Sequence, residues 1–110
     1  MGGNGHSSPT LVVLQLSGGN DFLNTVIPYG DPLYYDFRST TGISDQEVLR
    51  IDNHFGMHPS MGPLRDLYEL RNVAVINGIG YPDPDRSHFR SMDIWHTAEP
   101  ARPSAEGWLG

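Results

Sequence analysis

A short, almost continuous apolar run, Leu11-Val12-Val13-Leu14-Gln15-Leu16, is followed by Ser17-Gly18-Gly19. A short apolar run that is rich in β-branched residues and ends in glycines is typical of a strand buried on both faces of a parallel sheet. Val73-Ala74-Val75-Ile76-Asn77-Gly78 repeats this pattern further along the chain. A helix predicted between the two runs would complete a strand–helix–strand unit, in which the crossover is right-handed and the strands are parallel.

The rest of the chain adds helices to this unit. Ser60 is the expected N-cap of the connecting helix, which the apolar spacing places over residues 60–71. Ser44 lies three residues before Glu47, the spacing of a capping box. The other predicted elements are a helix over 31–39, a short helix or turn over 44–49, and a helix over 87–97. The predicted fold class is therefore α/β, with a partial doubly wound, mainly parallel sheet and flanking helices.

Composition excludes several classes of function. The net charge is −6 with only 7 basic residues, so a nucleic-acid surface, which needs clustered Lys and Arg, is not expected. The absence of cysteine excludes disulfides and thiolate metal sites. No apolar stretch reaches the roughly 20 residues of a membrane span. Residues 1–10 are Gly/Ser/Asn-rich and lack the basic and apolar regions of a signal peptide, so they are interpreted as a flexible lead-in, a tag, or the remnant left after a signal was removed. The end at Gly-Trp-Leu-Gly predicts a domain over 11–110 that is truncated and continues downstream.

The loop after the first apolar run is one candidate site. Ligands of open α/β sheets bind beyond the carboxyl ends of the strands, and this loop follows such an end. Its glycines allow close approach of the backbone, and Asp21 with Asn20 or Asn24 offers oxygen ligands to a metal ion. The alternative is a tight turn in which Asp21 is only the N-cap of the residues that follow.

The loop after the second apolar run is the other candidate. Ser87 is expected at the start of a helix, where backbone N–H groups and the helix dipole favour an anion such as phosphate or sulfate. A hydroxyl at that point can attack phosphorus, and Arg86 or Arg90 can neutralise the developing charge. His88 points about 100° away from its neighbour Ser87, so it is a ligand or supporting donor rather than the general base. The alternative is that Ser87 only caps the helix, and that Arg86 pairs with Asp83 or Asp85.

Two pairs of polar residues offer weaker metal sites. Asp93 and His96 share a helix face, although a solvated surface pair is the simpler interpretation. His54 and His58 are four apart, but Gly56 and Pro59 interrupt the helix that would align them. A histidine there is expected to form a hydrogen bond with the loop backbone.

Four segments, taken in order, resemble the start of the bacterial proteins grouped as the domain of unknown function 1501 (DUF1501) family. The most specific of them is Arg-Ser-His-Phe-Arg-Ser-Met-Asp-Ile-Trp at 86–95. The resemblance extends from Leu11 to Gly110, and the four segments are Leu11–Asp21, Val26–Tyr35, Phe55–Leu64 and Gly80–Trp95.

That family is similar to the alkaline phosphatase and sulfatase superfamily, and the resemblance implies a function. Members of the DUF1501 family are longer than this chain and commonly carry a twin-arginine export signal before the first strand. The superfamily uses a doubly wound sheet, one or two metals and a Ser, Thr or Cys nucleophile at a helix start. Carried over, Ser87 becomes the nucleophile and Asp21 becomes a metal ligand. Asn20 of the same loop is predicted as a further ligand, and the metal would be Zn, Mg, Ca or Mn. The chain is then the N-terminal fragment, inactive alone, of an exported (periplasmic or surface) hydrolase of small anionic esters. A non-catalytic exported binding module of the same fold is the alternative.

Overall fold

The computed structural model of the protein describes residue 5 and residues 7–109. Most of the predicted flexible lead-in, which covers residues 1–10, lies outside this part of the chain or is exposed coil. The elements, in chain order, are a 3₁₀ turn at Phe22–Asn24, β1 at Val26–Ile27, α1 at Pro32–Phe37, β2 at Leu49–Arg50, β3 at Gly56–Met57, a 3₁₀ turn at Pro59–Met61, α2 at Gly62–Glu69 and α3 at His88–Thr97. No helix among the described residues is long and apolar enough to cross a membrane.

The three strands form one small antiparallel sheet in the order β1-β3-β2. Met57 of the central strand lies opposite Val26 on one side and Leu49 on the other. The fold is therefore mixed α/β, which agrees with the predicted fold class at this coarse level. Its described strands pair antiparallel, so the predicted parallel, doubly wound arrangement is not formed by them.

The two apolar runs, residues 11–16 and 73–78, adopt no strand within the described chain. Their side chains lie largely in water: Val12 is 84% exposed and Ile76 is 72% exposed. A strand requires a neighbour to accept and donate its backbone hydrogen bonds, and neither run has one in this arrangement. The local pattern of a buried strand is thus present without the pairing that would bury it.

The predicted helices agree with the structure more closely than the predicted strands do. Asp31 caps α1 by accepting a hydrogen bond from the Leu33 N–H at 2.9 Å, and the proline at the first helical position suits the fixed φ of that residue type. The predicted helix over 60–71 is α2, but Ser60 is not its N-cap. Instead the ring of His58 accepts from the Ser60 N–H at 3.1 Å and caps the preceding 3₁₀ turn.

The segment over 44–49 is a turn rather than a helix. The Glu47 and Val48 N–H groups both donate to the Ser44 carbonyl oxygen, at 2.9 and 3.2 Å. The chain then enters β2 at once, which leaves no room for a second helical turn. The sequence allowed either a helix or a turn here, and the turn is what forms.

The core lies between the sheet and α1. Ile27, Tyr34 and Val48 are buried against one another, with partly buried apolar and aromatic side chains around them. The Tyr34 hydroxyl donates to Asn24 Oδ1 at 2.6 Å and accepts from the Ile43 N–H at 2.9 Å, so its polar end is satisfied. The buried aromatic residue thereby joins α1 to the loops on either side of it.

The core is small for the length of the chain. The radius of gyration is 18.5 Å, against about 13 Å for a compact domain of roughly 100 residues. The difference agrees with the exposure of the two apolar runs, which lie outside the core. The well-packed part of the molecule is the region around the three-stranded sheet.

Gly56 offers a direct test of that packing. A Cβ atom at this position would lie 2.9 Å from Val48 Cβ and 3.2 Å from the Leu49 carbonyl oxygen. We expect Gly56→Ala to lower the free energy of unfolding by about 1–3 kcal/mol, because the strand must move away from the core. Gly62→Ala is the matched control, since a Cβ there meets nothing within 4 Å. Urea unfolding of both variants measures the difference, and equal stability of the two would contradict this packing.

Candidate functional site

The loop after the first apolar run is held by an ion pair with α1. Arg38, at the end of α1, donates to both carboxylate oxygens of Asp21, at 2.5 and 2.9 Å. Its guanidinium also lies 5.9 Å from the centre of the Tyr34 ring, within the range of a cation–π contact. The carboxylate predicted to bind a metal is therefore already bound by a cation of the protein.

The ion pair shifts the titration of both partners. The hydrogen bond from Arg38 is the main reason that the pKa of Asp21 lies below its ordinary value of 3.8. The same bond raises the pKa of Arg38. The Asp21 side chain is 46% exposed and the Arg38 side chain 20% exposed, so solvent screens the pair only in part. Asp21 is an anion throughout the neutral range.

Asn20, the second predicted metal ligand, also forms a hydrogen bond within its loop. Its Oδ1 accepts a hydrogen bond from the Thr25 hydroxyl at 3.1 Å. The Asn24 N–H donates to the Asp21 carbonyl oxygen at 3.0 Å, which closes the 3₁₀ turn. The tight-turn interpretation of the loop is therefore confirmed for the backbone. The Asp21 side chain, however, contacts Arg38 and makes no capping hydrogen bond to that turn.

Ser87 is the N-cap of α3, a helix of ten residues. Its Oγ accepts from the Arg90 N–H at 3.4 Å, and its own N–H donates to Asp85 Oδ1 at 2.7 Å. The Ser91 hydroxyl adds a bond of 2.8 Å to the Asp85 carbonyl oxygen. Ser87 is exposed, so its hydroxyl is both a cap and a group within reach of a solute. The predicted helix start is confirmed to the residue.

The three charged or ionisable neighbours of Ser87 lie in different environments. The Arg90 guanidinium turns toward the far end of α3 and donates to the Glu99 and Pro100 carbonyl oxygens, each at 3.3 Å. The Arg90 guanidinium thus binds backbone carbonyl oxygens just beyond the C-terminal end of α3. Arg86 and His88 are exposed, and no ion pair of Arg86 is found in the part of the chain described. The predicted pairing of Arg86 with a nearby aspartate is therefore absent there.

The structure brings the first apolar run close to the segment 79–81, which follows the second run. A groove of about 1040 Å³, here called the α3 groove, opens between them. His96 of α3 contacts Gln15 across it, with Nε2 and Oε1 3.2 Å apart. Asp21 and Ser87 are not among its lining residues, which include Leu14, Leu16, Ile79, Tyr81, Trp95 and Trp108. The predicted convergence of Asp21 and Ser87 at a common rim therefore stays a prediction.

The weaker metal sites are not assembled. His58 accepts a backbone hydrogen bond, as the non-metal interpretation predicts. His96 contacts Gln15 rather than a carboxylate. No three His, Cys, Asp or Glu side chains among residues 7–109 form a group that could hold a metal. With Asp21 bound to Arg38 and Asn20 to Thr25, the two predicted ligands do not fit a metal as they stand.

Asp52 is a second carboxylate whose pKa lies below its ordinary value. Its Oδ1 accepts from the Phe55 and His54 N–H groups at 2.6 and 2.7 Å, and these two bonds lower the pKa of Asp52. The Tyr29 hydroxyl also donates to the Asp52 carbonyl oxygen. This carboxylate holds the turn between β2 and β3.

Acid is therefore expected to destabilise the protein through Asp21 and Asp52. Both have a folded pKa below the unfolded value, so their contribution is present above about pH 4 and is lost as the pH falls through the lowered folded value. Thermal unfolding between about pH 6 and about pH 3 measures this slope. The doubly substituted Asp21→Asn, Asp52→Asn protein is expected to show a flatter slope than wild type. An identical slope in the two proteins would contradict these assignments.

Two residues of the candidate site were missed by the sequence interpretation. Arg38 lies 17 positions from its partner Asp21, and Tyr34 lies 10 from Asn24. A basic residue at the end of a predicted helix and a tyrosine among aromatic neighbours were the available signals, and neither specifies a partner.

Comparisons with protein-family models, with curated proteins and with solved structures found no match.

Proposed function

We propose that the full-length natural protein is an exported hydrolase of phosphate or sulfate esters, located in the periplasm or at the cell surface. The chain described here is proposed as its N-terminal part. The support is the resemblance of residues 11–110 to the DUF1501 family, and above all the run over 86–95. The observation that carries the proposal is the exposed Ser87 hydroxyl at the N-terminal end of α3.

The chemistry of that position favours an anionic ester. The first backbone N–H groups of a helix have no partner within the helix, and its dipole places partial positive charge at the same end. A phosphate or sulfate group is stabilised there, beside the hydroxyl that would attack it. Arg86, which is exposed next to Ser87, is the side chain that we assign to the charge of the ester.

The reaction follows in two balanced steps. The Ser87 oxygen forms a bond to phosphorus or sulfur, the ester bond breaks, and the alcohol leaves with the bonding electrons and the proton of the hydroxyl. Water then attacks the serine ester, which releases inorganic phosphate or sulfate and restores the hydroxyl. We assign His88 a supporting role in hydrogen bonding. Arg90 would join the site only after leaving the carbonyl oxygens at the end of α3.

A divalent metal (Zn, Mg, Ca or Mn) is part of the proposal on the resemblance alone, and no reaction step is assigned to it. The parallel sheet is likewise a proposal. Its support is the exposure of the two apolar runs, whose burial requires further strands. The strands that would cover them are proposed to come from the remainder of the protein.

Ester hydrolysis by the full-length protein is the test. A panel of phosphate and sulfate monoesters is incubated with the protein before and after treatment with a chelator, and the released anion is measured. We expect release of phosphate or sulfate in equal amount to the alcohol, and a lower rate after chelation. Release of neither anion from any ester would contradict the proposal.

A non-catalytic binding module of the same fold is the second candidate. The pairing of Asp21 with Arg38 favours it, because a carboxylate neutralised by the protein is less available to a metal. Binding of the same esters without release of an anion, measured by calorimetry, would support this candidate over the hydrolase.

A further inference from the structure

The contact between Asp21 and Arg38 has the geometry of a fixed attachment. An arginine that donates two parallel hydrogen bonds to one carboxylate sets both the distance and the plane of that group. Here the two bonds measure 2.5 and 2.9 Å, and they join residues 17 positions apart. The guanidinium also lies 5.9 Å from the centre of the Tyr34 ring, within the range of a cation–π contact.

A second attachment lies close to the first. Tyr34, one turn before Arg38 on α1, donates from its buried hydroxyl to Asn24 Oδ1. The Asn24 side-chain amide in turn donates to the Thr41 carbonyl oxygen at 2.9 Å. The loop that follows the first apolar run is therefore attached to α1 at two residues, Asp21 and Asn24.

We propose that Arg38 is a positioning residue, which holds the Asp21 carboxylate and thereby fixes the loop after the first apolar run against α1. A cation that used Asp21 as a ligand would compete with the guanidinium for the same carboxylate. The importance of this for catalysis rests on the proposed function, whereas the attachment itself does not. α1 thus determines where the end of the first run presents its polar groups.

The test compares the wild-type chain with Arg38→Gln by nuclear magnetic resonance. Arg50→Gln is the matched control, because Arg50 also lies over an aromatic ring, at 4.9 Å from the centre of Tyr29, and 4.0 Å from an aspartate. In Arg38→Gln we expect the pKa of Asp21 to rise toward its ordinary value. Amide exchange at Asn24 and Thr25 is expected to become roughly two- to fivefold faster, the effect of losing one partly exposed ion pair. In Arg50→Gln both quantities are expected to remain as in wild type.

The proposal would be overturned if the pKa of Asp21 and the amide exchange at Asn24 and Thr25 kept their wild-type values in Arg38→Gln. It would also be overturned if these quantities changed equally in the Arg50→Gln control. If Arg38→Gln does not fold, Arg38→Lys decides by the same two measurements. Lysine keeps the charge but lacks the two-pronged donor, so faster exchange at Asn24 and Thr25 is expected, and wild-type values would overturn the proposal. No ester is used, so absence of hydrolysis would end the proposed function without affecting this result.

Discussion

Replacement of Ser87 by asparagine is expected to abolish ester hydrolysis by the full-length protein while leaving α3 intact. Asparagine is as good an N-cap as serine, but its amide cannot form the covalent ester that the proposed reaction requires. Loss of a covalent nucleophile lowers kcat on the order of 10⁴-fold or more. The assay is release of phosphate or sulfate, with circular dichroism to monitor the helix.

Two further variants make this result specific. Ser87→Thr keeps a hydroxyl and is expected to retain measurable activity. Ser91→Ala removes a serine hydroxyl one turn further along α3, which donates to the Asp85 carbonyl oxygen. This variant is expected to keep a rate close to that of wild type. Full activity in Ser87→Asn would show that Ser87 is a cap and not a nucleophile.

Ile27→Ala is expected to have the largest effect on stability. Ile27 is fully buried in the centre of the core, against Tyr34 and Val48. Truncation of a buried isoleucine to alanine lowers the free energy of unfolding by about 2–5 kcal/mol, because contacts are lost and a cavity remains. Chemical unfolding, followed by the fluorescence of tyrosine and tryptophan, measures the loss.

Ile76→Ala is the matched control for this substitution. The side chain removed is the same, but Ile76 belongs to the second apolar run and is 72% exposed. In the 110-residue chain its truncation is expected to change the stability by no more than about 0.5 kcal/mol. A similar loss in both variants would mean that the second run is packed in solution, contrary to the structure.

The helices could be predicted because their signals are local. Asp31 followed by proline marks the start of α1, and Ser87 before an amphipathic segment marks the start of α3. Caps of this kind depend on residues two or three positions apart, which a sequence displays directly. The start of α2 was predicted less well, because a 3₁₀ turn capped by His58 precedes it.

The sheet could not be predicted in the same way. Each observed strand has only two residues, too few for any alternation of apolar and polar positions to be visible. The two apolar runs display the strand pattern strongly, yet pairing depends on partners that the pattern does not specify. Local sequence therefore predicted where strands are favoured, and the available partners decided where strands formed.

The candidate site shows the same division between local and distant information. The position of Ser87 follows from its neighbours and was predicted, whereas the ion pair between Asp21 and Arg38 depends on the return of α1 to the first loop. The resemblance that suggested a metal ligand at Asp21 carried no information about this partner. A carboxylate can be named from sequence, but what it binds is a property of the folded chain.

The proposed hydrolase depends on a covalent ester at Ser87, and trapping that ester tests it most directly. Full-length protein is mixed with a phosphate monoester, quenched in acid, digested and analysed by mass spectrometry. We expect a phosphorylated peptide whose modified residue is Ser87, absent from the Ser87→Asn protein. Turnover of the ester with no phosphate on Ser87, or with the phosphate on another residue, would contradict it.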